Sequence, residues 1–117
     1  MRHRKKGRVL RKTRAQQREL VRSLARHLVL RGTLETTEAR AKEMRPFVER
    51  LVTYAKKGGL AKRRLILAAM KNDLRVTEKL MSDIAPRYKE RVGGYTRIVK
   101  TPARKSDSAA RARIAFV

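Results

Sequence analysis

The sequence predicts an α/β (α+β) fold, with four helices packed on a small three-stranded mixed sheet and an extended basic N-terminal arm ahead of them. Three observations predict it. Apolar residues recur at spacings of three and four over separate stretches between residues 13 and 85, which is the period of amphipathic helices. Three short segments, 33–37, 95–100 and 112–117, alternate or are β-branched, as strands are. The opening residues 1–12 carry Arg2, Arg4, Lys5, Lys6, Arg8, Arg11 and Lys12 with no acid and little to bury, so burial cannot offset the entropy of ordering them. The expected organisation is therefore an arm, 1–12, and a single domain, 13–117.

Each element has a local reason. Thr13 with Gln16 three residues later forms a capping-box pattern, and Leu20, Leu24 and Leu28 with Val21, Ala25 and Val29 make the apolar stripe of a first helix. Gly32 supplies its stop. The opposite face carries Arg14, Arg18, Arg22 and Arg26, also at spacing four, so one face can pack while the other presents guanidinium groups. The threonine-rich run 33–37 reads as a strand. Thr37 then caps a second helix whose stripe is Ala41, Met44, Val48, Leu51, Val52 and Ala55, with Glu38 in its first turn and Gly58-Gly59 at its end. Pro46 lies inside that pattern and predicts a kink near 42–46 or a break there.

A third helix is expected over 60–70, with Ala61, Leu65, Ala68 and Ala69 in register. Lys62, Arg63 and Arg64 at its start oppose the helix dipole. That cluster reads either as a functional site or as a solvated face. Asn72-Asp73 marks the cap of a fourth helix built on Val76, Leu80, Met81 and Ile84 and closed before Pro86. The segments 95–100 and 112–117 form a hairpin across a polar loop containing Pro102, Ser106, Asp107 and Ser108. Two strands are marginal alone, so 33–37 is expected to join them.

Charge narrows the function. The 117 residues hold 33 Lys+Arg against 10 Asp+Glu, a net charge of +23 and a pI near 11.7. Such a chain attracts polyanions strongly. Residues 1–34 have 12 bases and 1 acid, residues 35–90 have 14 and 8, and residues 91–117 have 7 and 1, so the excess sits at the two ends. No cysteine is present, which removes disulfides, thiolate zinc sites and thiol chemistry, and two histidines are too few for a histidine-rich metal site. No apolar run approaches the roughly 18 residues of a membrane helix, and the basic start is not followed by the apolar stretch of a secretory signal. Arg-rich, acid-poor composition also has the character of an organelle transit peptide. The ten carboxylates are scattered, and Glu38–Lys42 and Arg45–Glu49 read as plain surface pairs. No P-loop is present, and His27 reads as a residue near a helix end. Neither an enzyme, a cofactor, a metal nor a small-molecule substrate is expected.

Arginines number 21 against 12 lysines, a balance suited to bidentate phosphate contacts and to stacking. The arm would order on a phosphate surface with release of counterions. The run Ala85-Pro86-Arg87-Tyr88-Lys89-Glu90-Arg91-Val92-Gly93-Gly94-Tyr95-Thr96-Arg97 interleaves bases, tyrosines and glycines, which suits folded RNA. Two readings stay open for Tyr88 and Tyr95, stacking on bases or covering the helix–sheet seam. Phe47, Tyr54 and Phe116 fall near core stripes. A DNA reader would concentrate its contacts in one recognition helix, whereas here the bases spread over arm, helix, loop and hairpin. The alternative to RNA binding is a DNA-binding or nucleoid-associated basic protein.

Several of these stretches resemble one family. Met1-Arg2-His3-Arg4-Lys5-Lys6-Gly7-Arg8 looks like the opening of the bacterial large-subunit ribosomal protein numbered seventeen (the L-seventeen family). Thr36-Thr37-Glu38-Ala39-Arg40-Ala41-Lys42-Glu43-Met44-Arg45 is similar to its strand and second helix, and Arg63-Arg64-Leu65 to a family Arg-Arg pair. The block Ala85-Pro86-Arg87-Tyr88-Lys89-Glu90-Arg91 followed by Gly93-Gly94-Tyr95-Thr96-Arg97-Ile98 is the most specific. The resemblance runs from residue 1 to 117. It implies a mature N-terminus and a cytoplasmic, non-catalytic protein of the ribosome. It also implies binding to large-subunit ribosomal RNA near the polypeptide exit, with neighbouring ribosomal proteins, including number thirty-two, as contacts and no membrane. The chain departs from the family pattern at Ser23, at Pro46 and at Ser106-Asp107-Ser108-Ala109-Ala110, which replaces a Gly-Asp-Gly-Ala-Pro-like loop.

Residues and resemblance together nominate an RNA-binding set. The arm supplies Arg2, His3, Arg4, Lys5, Lys6, Gly7, Arg8, Arg11 and Lys12. The first helix adds Arg14, Arg18 and Arg22, and the third adds Arg63 and Arg64. The loop and hairpin add Arg87, Tyr88, Lys89, Arg91, Gly93, Gly94, Tyr95 and Arg97.

Overall fold

The capping box at Thr13 forms as its spacing predicts. The Thr13 hydroxyl accepts the Gln16 N–H at 3.2 Å, and the Gln16 side chain accepts the Thr13 N–H at 3.1 Å. The computed structural model describes residues 13–117. Their order is α1 (Arg14–Arg31), β1 (Thr33–Thr37), α2 (Glu38–Lys57), α3 (Gly59–Ala69), α4, β2 (Thr96–Thr101) and β3 (Arg111–Phe116). Helix α4 covers residues 74–87 in three parts: α-helical Leu74–Lys79, a π-helical turn Leu80–Ile84 and a last turn Ala85–Arg87. Gly32 ends α1 in the left-handed conformation at φ 83°, which only glycine adopts without steric cost.

The last strand is central. The sheet order is β1-β3-β2, and both pairings are antiparallel. This corrects the expected mixed sheet. β1 and β2 run in the same direction but never meet, because β3 returns between them. Register places Leu34, Ile114 and Ile98 in one row across the inner face.

Against that face lies α2. All six residues of its expected stripe are buried, and the helix runs unbroken through Pro46. An interior proline costs about 3 kcal/mol or more. Burying Met44, Val48, Leu51 and Val52 at roughly 1.5–3 kcal/mol each outweighs it. Glu49 is more than a surface pair. Its Oε2 accepts the Thr96 hydroxyl at 2.7 Å and Arg45 Nε at 3.2 Å, while Arg45 also donates to the Thr96 carbonyl at 3.2 Å. Those bonds tie α2 to β2.

Helix α3 presents a different face from the one expected. Ile66 and the adjoining Met70 are buried, whereas Ala61, Leu65 and Ala68 face outward, Leu65 at 44% exposure. From Leu65 to Met70 the run is apolar on every side, so period alone does not select the inward face. The corner at Gly58-Gly59, with φ of 68° and 85°, helps set it instead.

Asp73 caps α4, accepting the Val76 N–H at 3.2 Å. Pro86 does not close the helix. Its ring would meet the carbonyl four residues back, and the preceding π turn, in which the Ala85 N–H bonds Leu80, widens the helix at that point.

Candidate nucleic-acid interface

The arm candidates Arg2, His3, Arg4, Lys5, Lys6, Gly7, Arg8, Arg11 and Lys12 lie outside the described residues. Of the rest, the first helix is the most informative. Its burial begins at Leu24, so the turns bearing Arg14 and Arg18 project beyond the core. The arginine ladder then divides. Arg22 donates to the Ala69 carbonyl at 2.9 Å and to Glu19 at 2.5 Å, and Arg26 pairs with Asp73 at 2.8 Å. Arg22 and Arg26 therefore fasten α1 to the α3–α4 corner. Arg14 and Arg18 have no ion pair among the described residues.

Beside them is an open groove of about 780 Å³ between α1 and α2. Arg14, Arg18 and Arg22 line one wall, and Lys42, Glu43, Pro46, Phe47 and Arg50 the other. Sequence reasoning missed Lys42, Phe47 and Arg50 as members of a site. Their signal was a second face of α2 at spacings of three to five, hidden beside the stronger apolar stripe.

On α3, Arg63 reaches across to α4, donating to Glu78 at 2.7 Å, while Arg64 faces outward. The expected Arg-Arg pair is thus one helix-to-helix tie and one exposed charge.

The 88–97 loop settles the tyrosines. Tyr88 and Tyr95 are buried at 4% and 1% exposure with ring centroids 5.4 Å apart. The Tyr88 hydroxyl donates to the Val117 carbonyl at 2.6 Å, and burial raises its pKa. The Tyr95 hydroxyl donates to the Val92 carbonyl at 3.2 Å. Burial pushes the Tyr95 hydroxyl up, but hydrogen bonds with Thr53 and Lys56 outweigh it, and its pKa is lowered. These rings close the core and hold the loop from beneath, so packing accounts for both and leaves little of either ring exposed. The loop above is open. Lys89, Arg91, Gly93 and Gly94 are exposed, and a Cβ at either glycine would meet nothing within 4 Å. Arg87 pairs with Asp83 at 3.0 Å, and Arg91 donates to the Gly93 carbonyl at 3.2 Å. Neighbouring Lys79 and then Arg87 hold the Asp83 carboxyl below its usual pKa.

Arg97 is exposed on the outer sheet face, in register with Ala115. Arg111 and Arg113 share that face through Glu35, at 3.6 and 3.8 Å. Neither was singled out from sequence, because strand alternation does not show which face stays open. Among the described residues no cluster of His, Asp and Glu could hold a metal ion, and no helix is long and apolar enough to cross a membrane.

The surface is therefore several cationic patches around one core, with the acids mostly engaged in ties between elements. Comparison with known proteins agrees with that picture. The family model described as Ribosomal protein L17 matches residues 20–117. The chain is 51% identical over 118 residues to the large ribosomal subunit protein bL17 of a Hydrogenobaculum species, covering 100% of this chain and 99% of the relative. It is 48% identical over 117 residues to bL17 of Gemmatimonas aurantiaca, covering 100% and 98%, and 46% identical to that of Sphingopyxis alaskensis, covering 100% and 84%. With the model matched over most of its length and such identity end to end, the chain belongs to the ribosomal protein L17 family.

Proposed function

We propose that this chain binds and braces large-subunit ribosomal RNA near the polypeptide exit, with neighbouring ribosomal proteins, including number thirty-two, as its protein contacts. As a family member it is a structural protein of the large ribosomal subunit, a cytoplasmic ribosome component and not an enzyme. What supports RNA as the ligand is the division of charge. Most acids on the described surface are engaged in ties such as Arg26–Asp73, Arg63–Glu78 and Glu35–Arg113. Arg14, Arg18, Arg50, Arg64, Lys89 and Arg97 have no carboxylate partner among the described residues. Unpaired cations on several sides suit a folded polyanion, which is bound largely through backbone and shape.

In this reading residues 1–12 are a basic arm that neutralises phosphates. Arg14, Arg18 and Arg64 meet further backbone, and the segment from the end of α4 to the start of β2 presents Arg87, Lys89, Arg91, Gly93, Gly94 and Arg97. Co-sedimentation with large subunits on a sucrose gradient in moderate salt tests it. The protein is expected in the large-subunit peak. Its recovery only at the top of the gradient, or with chromosomal DNA, would overturn the reading.

A further inference from the structure

The α1–α2 groove has two surfaces of opposite character. Val21, Pro46, Phe47 and Ala69 give it an apolar lining, while Arg14, Arg18 and Arg50 give it cations without carboxylate partners among the described residues. Phe47 is half-buried and packs partly against the core, so its position is held from behind while it also lines the groove. The volume of about 780 Å³ falls in the class that accepts small organic groups, roughly 300–1,000 Å³.

A phosphate backbone alone would need only the cations. An apolar side chain of a partner would need only the lining. A nucleotide needs both, because it carries a planar, largely apolar base between two phosphates. We propose that this groove takes a base turned out from a single-stranded loop or bulge of RNA, lodged against Phe47, with its flanking phosphates on Arg14, Arg18 and Arg50. The proposal rests on the RNA-binding reading above and adds to it a site for an unpaired base. The sequence position of Phe47 beside a core stripe suggested packing alone; the groove shows it has a second contact surface.

Anisotropy titrations of the full chain at one salt concentration test this with three probes: a short oligoadenosine RNA, an abasic strand of equal length and an RNA duplex. The wild-type chain should prefer the oligoadenosine to the abasic strand by about fivefold or more, the range expected when a base stacks on an aromatic ring. Phe47→Leu keeps an apolar side chain against the core and should lose most of that preference while retaining affinity for the abasic strand. Arg50→Gln should weaken both strands alike. A thiouridine strand photo-crosslinked to the wild-type chain should attach within residues 14–22 or 42–50, a readout independent of any variant's folding. Cross-links confined elsewhere or an unchanged preference in Phe47→Leu would overturn the proposal. Salt-dependent binding of all three probes with no preference for bases removes the groove alone. Absence of salt-dependent binding to every probe removes the RNA reading with it.

Discussion

The carboxylate of Glu49 accepts the Thr96 hydroxyl at 2.7 Å, joining the middle of α2 to the first residue of β2. Arg45 completes the tie by donating to Glu49 and to the Thr96 carbonyl. Partial burial raises the Glu49 pKa, but the bonds from Thr96 and Arg45 outweigh it, so the group ionises below its ordinary value.

Glu49→Ala is therefore expected to destabilise the fold by about 1–3 kcal/mol, the cost of leaving partly buried donors unmatched. Because the folded pKa is depressed, the ionic part of this stabilisation is complete above the ordinary glutamate pKa of about 4.3. It is lost as pH falls through the lower folded value. Denaturant titrations of wild type and variant at neutral pH and at about pH 3 should show the gap narrowing in acid. A gap that widens in acid would refute the assignment.

The two faces of α3 give a sharp contrast. Ile66→Ala, at a fully buried position, should cost about 2–5 kcal/mol. Leu65→Ala, one residue away and 44% exposed, should cost less than about 1 kcal/mol. Equal losses in thermal unfolding would mean that the helix packs by the other face.

Tyr88→Phe removes the hydroxyl that holds Val117 and keeps the ring. Stability should fall by about 0.5–1.5 kcal/mol, the net worth of one hydrogen bond. RNA affinity should not change, because the hydroxyl is committed to the Val117 carbonyl. A large loss of affinity at unchanged stability would return Tyr88 to the RNA interface.

Salt reports on the cations. If roughly ten phosphates are engaged, the logarithm of the RNA affinity should fall by about 7–9 for each tenfold rise in salt. Deleting residues 1–12 removes Arg2, Arg4, Lys5, Lys6, Arg8, Arg11 and Lys12. The slope should then drop by about 5–6 if all of them meet phosphate. Thermal unfolding should be nearly unchanged. A flat titration of the full chain would end the electrostatic account.

Local chemistry was legible before the fold was known. The Thr13 capping box, the Gly32 stop, the Thr37 cap and the stripe of α2 each depend on neighbours a few residues apart, so spacing alone specifies them. Net charge likewise belongs to the chain and not to its shape, and it pointed to a polyanion from the first count. What tertiary structure decided were choices among locally equivalent options. It chose which side of the apolar second half of α3 turns inward, and which of four evenly spaced arginines fasten α1 and which face out. It packed Tyr88 against Tyr95 in the core, and placed Phe47 at once beside the core and in a groove. Each choice depends on partners far along the chain, such as Asp73 for Arg26 or Val117 for Tyr88, and periodicity carries no information about such distant pairings.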